Sequence, residues 1–192
     1  NSKRDVNFGL GALRTQLAKE FNLINKDEYD LLWVVDWPLF AYDEETKTVS
    51  PEHHPFTRPK DEDLHKLMTN PQDVYAYCYD IVINGYEAGG GSLRIYDGKV
   101  QNQIFQLLGF TQEDIQRKFG WFIDAFKYGT PPHAGIAFGL ERLTMVLSKT
   151  DNIRDVIAFP KNASAVCPMS EAPNLVGERQ LKELAISITK SN

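Results

Sequence analysis

The chain has 192 residues, 42% of them hydrophobic, and a formal net charge of −5. That length suits one domain, or one domain plus a fragment, and the apolar share is enough for a real core. The acidic balance argues against a surface shaped throughout for nucleic acid, leaving room only for a local basic patch. The lack of an 18-residue apolar run, a signal peptide or a lipidation motif predicts a soluble, cytoplasmic protein with no membrane contact.

Phe8 to Phe21 reads as an amphipathic helix with Leu10, Leu13, Leu17 and Phe21 on one face. The run Leu31 to Trp37 predicts a short buried strand stopped by Pro38, and Asp43 to Lys47 predicts a loop. His53 and His54 precede Pro55, which biases His54 away from helix and predicts an extended segment. Adjacent histidines in such a segment point to opposite sides, which disfavours joint metal ligation. Lys60 to Met68 suggests a short surface helix.

The next stretch carries the strongest local signal. Two apolar runs meet at Asn84-Gly85, a pair that tolerates positive φ and predicts a two-residue hairpin turn. Ile83 then faces Tyr86, and Val82 faces Glu87. Asp80 shares the face of Glu87 one diagonal step away, within roughly 5–8 Å, so one divalent cation could bridge both carboxylates. Glu87 and Arg94 are seven apart and would point to opposite faces of a regular strand. A bulge within Gly89–Gly91 would shift the phase and bring Arg94 to the carboxylate face. The result is a glycine-floored pocket of two acids and an arginine, suited to a ligand with metal-bound phosphates and a carboxylate. Cys78 lies inside this apolar run, and with Cys167 it forms no metal-ligand spacing, so reduced, structural cysteines are expected.

Two helices follow, Gly98 to Leu108 and Gln112 to Tyr128, the second capped by Thr111 with Glu113 and Asp114 in its first turn. Their apolar positions, among them Ile104, Ile115, Phe119 and Phe122, read as core. Gly129 to His133 is a loop. Gly135 to Phe138 reads as a short strand entering Gly139, followed by a helix carrying Leu140, Leu143, Val146 and Leu147 inward. Glycine at that junction admits a ligand to the backbone, and the helix start offers N–H groups to an anion. Arg142 in the first turn opposes the helix dipole unless an anion or ring sits there. Ile153 to Phe159 reads as another apolar strand, and Leu181 to Ile188 as a terminal helix or strand. The elements together predict an α+β fold with a mostly antiparallel sheet flanked by helices.

Gly135 to Leu143 resembles motif 3 of the class II aminoacyl-tRNA synthetases. Combined with Trp33 to Pro38, His53-His54-Pro55-Phe56-Thr57, the Asn84 to Arg94 stretch, Tyr128 to His133 and Ile153 to Lys161, it is similar to the bacterial-type aspartyl-tRNA synthetase family over nearly the whole chain. The resemblance implies a ligase that uses ATP and Mg²⁺ to make aspartyl-adenylate from L-aspartate and passes the aspartyl group to tRNA(Asp). It implies that Arg94, His53 and His54 bind L-aspartate, and that Asp80 and Glu87 hold magnesium. It also implies that Glu87, Gly139, Leu140, Glu141 and Arg142 bind ATP, and it assigns no side chain as a catalytic acid, base or nucleophile. Residues 1–28 resemble the trailing helix of the family's insertion domain, and residues 29–192 the C-terminal part of the catalytic domain.

Motifs 1 and 2, the anticodon-binding barrel and most of the insertion precede these segments in the family and have no counterpart here. The first residue is Asn, as expected of a chain that begins partway through a longer protein. The family activity and the homodimer are therefore expected of a full-length parent, with this piece inactive alone. Two other readings follow from the same residues: a synthetase-like paralogue serving as a binding or regulatory module, and another class II ligase such as the asparagine enzyme.

Overall fold

The computed structural model describes residues 3–43 and 45–189; Asn1, Ser2, Glu44 of the expected 43–47 loop and the last three residues lie outside them. Two units are distinguished, Asn1–Lys149 and Thr150–Asn192.

The first unit is built on a four-stranded antiparallel sheet in the order β1-β4-β5-β6, from β1 (Leu31–Pro38), β4 (Tyr75–Ile83), β5 (Tyr86–Leu93) and β6 (Ala134–Phe138). A separate hairpin pairs β2 (Phe40–Asp43) with β3 (Thr48–Pro51). Asn84 and Gly85 take φ of 50° and 83°, the pair of positive values that a tight turn between twisted strands requires. Ile83 faces Tyr86 and Val82 faces Glu87, the register that the turn predicts.

Beyond that pair the ladder slips. Val82 opposes Glu87, but Ile81 opposes Gly89 and Asp80 opposes Gly90, so Ala88 is the extra residue of a bulge. The bulge precedes Gly89 instead of falling within Gly89–Gly91. On the other side of the strand, the Ala88 carbonyl accepts the Gly139 N–H at 2.9 Å, and the Glu87 carbonyl accepts Arg142 Nη1–H at 2.7 Å. The first bond continues the β5–β6 register by one rung, and both acceptors find their partners at the start of α4 (Leu140–Ser148).

The core gathers Leu39, Phe40, Leu67, Val74, Ala76, Cys78, Ile95 and Ile104. Against it lie α2 (Gly98–Leu107) and α3 (Gln112–Phe126). Asp97 caps the first, accepting the N–H groups of Lys99 and Val100, and Thr111 caps the second, accepting that of Asp114. Phe105 and Phe119 stack at 4.7 Å, and Phe56 meets both edge-on, which fastens the segment after the two histidines to the helices.

Several sequence expectations are corrected. β1 is an edge strand, and Leu31, Leu32, Trp33 and Val35 are exposed; an apolar run marks a strand able to be buried, without saying that both faces are covered. Residues 52–56 form bends and a turn instead of an extended segment, because the Phe56 N–H bonds to His54 Nδ1 and the Thr57 N–H to the His54 carbonyl. The surface helix after Lys60 is a 3₁₀ helix, Asp61–Lys66. α4 buries Met145 and Val146, while Leu140 and Leu147 are exposed. α1 (Lys3–Glu20) forms as expected, but its Leu10, Leu13, Leu17 and Phe21 stripe is exposed.

The second unit is mostly irregular. Ile153–Asp155 is a 3₁₀ turn capped by Asn152, not the start of a strand. A turn closes between Cys167 and Ala172, and α5 (Glu178–Glu183) follows. Among the described residues, no helix is long and apolar enough to cross a membrane.

Packing separates the glycines of the bulged strand. A Cβ on Gly91 would run into the Gly135 carbonyl, which is backbone and cannot step aside. Gly135 has open space where its own Cβ would lie. Gly91→Ala is expected to cost about 1–3 kcal/mol by overpacking, and Gly135→Ala much less. Urea denaturation of the two variants checks this, and equal losses would contradict the close β5–β6 approach.

Candidate active site

The slip at Ala88 decides which side chains share a face. Side chains alternate along a strand, so Asp80 and Val82 project together, and Glu87, opposite Val82, projects with them. Gly90 lies opposite Asp80, and from there Ser92 and Arg94 keep the same side. The acids and Arg94 therefore stand on one sheet face, as the sequence expectation required, although the bulge that achieves it sits one residue earlier. Gly90 is the floor beneath Asp80: a Cβ there would overlap the Asp80 carboxylate.

Asp80 is buried, and its carboxyl is pushed above the usual carboxylate range, first by burial and then by the Glu87 charge, with His53 pulling the other way. A buried acid beside a second acid is a site that gains from a cation. Among the described residues, no group of three or more His, Cys, Asp or Glu side chains is gathered for a metal. Two carboxylates on one face could supply two oxygen donors to a hard cation whose remaining ligands came from phosphate or water.

The two histidines diverge. His53 packs edge-on against Trp37, with ring centroids 5.1 Å apart, and its charge reaches Asp80. His54 turns to the arginine: Arg94 Nη1 lies 3.2 Å from His54 Nδ1, and Thr57 Oγ1 and Ser92 Oγ lie 3.3 Å and 3.5 Å from Nε2. Burial, then the charges of Arg94 and His53, lower the His54 pKa to about 4. Cys78 lies opposite Ser92, and burial and the Asp80 charge push its thiol up to about 11, which keeps it inert at neutral pH.

The backbone of Arg94 is held from two sides. Its N–H bonds to the His133 carbonyl, and the flanking Leu93 carbonyl and Ile95 N–H bond to Arg58 and Phe56. Gln101, wholly buried on α2, donates its Nε2–H to the Pro55 carbonyl and anchors the histidine turn. Sequence reasoning assigned no role to Thr57, Ser92 or Gln101. A Thr three residues after His54 was readable as a turn partner, whereas nothing local marks Gln101.

At the other edge, Gly139 is the N-cap of α4 without a side-chain cap, and the amides of its first turn have no intrahelical acceptor. Leu140 and Glu141 are exposed there. Arg142 Nη1 is 3.7 Å from Glu87 Oε2 as well as bonded to the Glu87 carbonyl. The anion that a first-turn arginine requires is thus Glu87 itself, and that pair joins the carboxylate face to the helix start.

The antiparallel sheet thus carries paired acids, a histidine-backed arginine and, at the β6 edge, a glycine entering an arginine-bearing helix. Residues 7–163 match the family model of tRNA synthetases class II (D, K and N), and the chain belongs to that family. It is 56% identical to an aspartate–tRNA ligase of Staphylococcus epidermidis over 179 residues, which is 93% of this chain and 30% of that protein. The corresponding ligase of Staphylococcus aureus is 55% identical over the same length. The chain therefore spans about a third of the curated relatives it matches. Among solved structures, an aspartyl-tRNA synthetase from Entamoeba histolytica superposes with a TM-score of 0.54 at 24% identity, covering 80% of this chain and 26% of that one. An asparaginyl-tRNA synthetase from Pyrococcus horikoshii gives 0.52 at 24%, covering 72% of this chain and 28% of that one. These structural likenesses speak for the fold.

The lowered His54 value has a direct consequence. Its neutral form is favoured on folding, so the stability it contributes is present above the unfolded value of 6.5 and is lost as pH falls through about 4. An NMR titration of the imidazole in the 192-residue chain is expected to show a midpoint near 4. A midpoint near 6.5 would show a ring open to water and free of Arg94.

Proposed function

We propose that this chain is the C-terminal catalytic portion of an aspartate–tRNA ligase, and that the activity belongs to the longer protein that carries it. That protein activates L-aspartate with ATP and transfers the aspartyl group to tRNA(Asp), in the cytoplasm and as a homodimer. Residues 1–28 are the trailing helix of an insertion, and residues 29–192 the catalytic part. The observation that carries the reading is the common face of Asp80, Glu87 and Arg94, with Arg142 bonded to the Glu87 carbonyl.

Each group has a task that its chemistry fits. Arg94 offers a planar fork of donors to the aspartate side-chain carboxylate. His54 backs Arg94 in that subsite, and His53 stands toward Asp80. Asp80 and Glu87 are a carboxylate pair suited to Mg²⁺, which when bound neutralises charge on the ATP phosphates. The α4 start, Gly139 to Arg142, receives the nucleotide, with exposed Leu140 and the free first-turn amides facing the ligand side. No side chain needs to act as acid, base or nucleophile, because carboxylate attack on the α-phosphate is promoted by positioning and charge neutralisation.

Two substitutions in a full-length protein carrying this segment separate the tasks. Arg94→Leu is expected to weaken aspartate use by about 2–5 kcal/mol, with ATP binding little changed. Glu87→Gln is expected to raise the magnesium concentration needed for aspartate-dependent pyrophosphate exchange. Unchanged aspartate use in the first variant, or an unmoved magnesium titration in the second, would overturn the corresponding assignment.

A further inference from the structure

The arginines that form ion pairs in the first unit do so with carboxylates: Arg58 with Asp61, Arg117 with Asp114 and Arg142 with Glu87. Arg94 differs. Among the described residues no carboxylate lies within ion-pair distance of it, and its guanidinium donates instead to an imidazole nitrogen.

The protonation of that imidazole follows from its neighbours. His54 Nδ1 receives the Phe56 N–H at 3.1 Å and the Arg94 Nη1–H at 3.2 Å. A backbone amide and a guanidinium can only donate, so Nδ1 carries no proton and acts as the acceptor. The ring proton sits on Nε2, which faces the Ser92 hydroxyl, while the Thr57 hydroxyl lies 3.3 Å from both ring nitrogens. Both hydroxyls belong to residues that are almost wholly buried, at 2% and 1% exposure, so ring and partners are fixed by packing. The Gln101 bond to Pro55 and the backbone bridge between Thr57 and Arg94 keep the turn and the arginine in register.

We infer that His54 is a positioning residue for Arg94, a neutral acceptor that orients the guanidinium without neutralising it. The inference rests on the reading of Arg94 as the carboxylate-binding group, and it deepens that reading into a device for selectivity. A carboxylate in the place of His54 would hold the arginine equally well but would cancel its charge. An imidazole occupies one donor and leaves a full positive charge with four N–H groups for the ligand. Such an arginine favours a carboxylate over a carboxamide of the same shape, because only the carboxylate matches the charge. The tautomer is fixed by the Phe56 N–H on Nδ1, and Ser92 acts one step further back as a partner for the Nε2 proton, as outer partners do for metal-bound histidines.

The test has two arms. In the 192-residue chain, nitrogen-15 spectra of the imidazoles are expected to show His54 as the Nε2–H tautomer at pH 7, with its Nδ1 signal displaced by Arg94→Leu. An Nδ1–H tautomer, or an Nδ1 signal indifferent to that substitution, would overturn the inference. In the full-length protein, His54→Glu is expected to raise the aspartate KM at least about tenfold, roughly 1.4 kcal/mol, with a smaller effect on kcat. It should also narrow the preference for aspartate over asparagine. His54→Gln keeps a neutral acceptor and should lose far less of both, while His54→Leu lies between them. Equal aspartate KM and equal preference in the Glu and Gln variants would contradict a role for charge neutrality. If Arg94→Leu leaves aspartate use intact, the functional reading fails, and the tautomer spectra still decide whether the imidazole holds the arginine.

Discussion

The single extra residue at Ala88 is the constraint on which the rest of the site depends. In an unbroken β4–β5 ladder, Glu87 and Arg94 would face opposite sides of the sheet. One inserted residue reverses the phase for everything after it. Beside it, the Ala88 and Glu87 carbonyls are taken up at the start of α4, by the Gly139 N–H and by Arg142. The bulge sets the side-chain face, and these bonds tie the hairpin to the helix that follows β6. The glycines after it let β6 and the Asp80 carboxylate approach closely.

Charge is distributed unevenly along that face. The acidic end holds Asp80, buried and raised above its usual range, with Glu87 beside it and Arg142 touching Glu87 from the helix. The other end holds Arg94, backed by a neutral ring. Such a gradient suits a ligand that is anionic at both ends when one anion arrives with a cation. On the proposed reading, a carboxylate meets the arginine directly, and phosphates meet the acids through a metal. Preorganised charges of this kind act without moving at the moment of reaction.

Much of this was legible in the residues. Asn84-Gly85 encodes its own turn, and the pairing of Val82 with Glu87 follows from it without long-range information. Thr111 and Asp114 mark the α3 start by local chemistry. What escaped depends on partners distant in the chain. The bulge falls on Ala88 instead of a glycine, and the Ala88 carbonyl is held by Gly139, 51 residues on. The turn at His54 arises from the ring accepting the Phe56 N–H, a side-chain bond that competes with extended backbone. The exposure of Trp33 on β1, or of Leu140 on α4, is a matter of what lies against them, which apolar patterning does not encode. Gln101 illustrates the same limit: a buried amide anchoring Pro55 looks like any glutamine in an amphipathic helix.

The most direct test of the account is the cross-strand proton contact pattern of the β4–β5 hairpin, read by NMR from the labelled 192-residue chain. The account expects Val82 opposite Glu87, Ile81 opposite Gly89 and Asp80 opposite Gly90, with Ala88 opposite no residue of β4. Contacts pairing Ile81 with Ala88 and Asp80 with Gly89 would show an unbroken ladder. Arg94 would then lie on the face away from the acids, and the site would not exist as described.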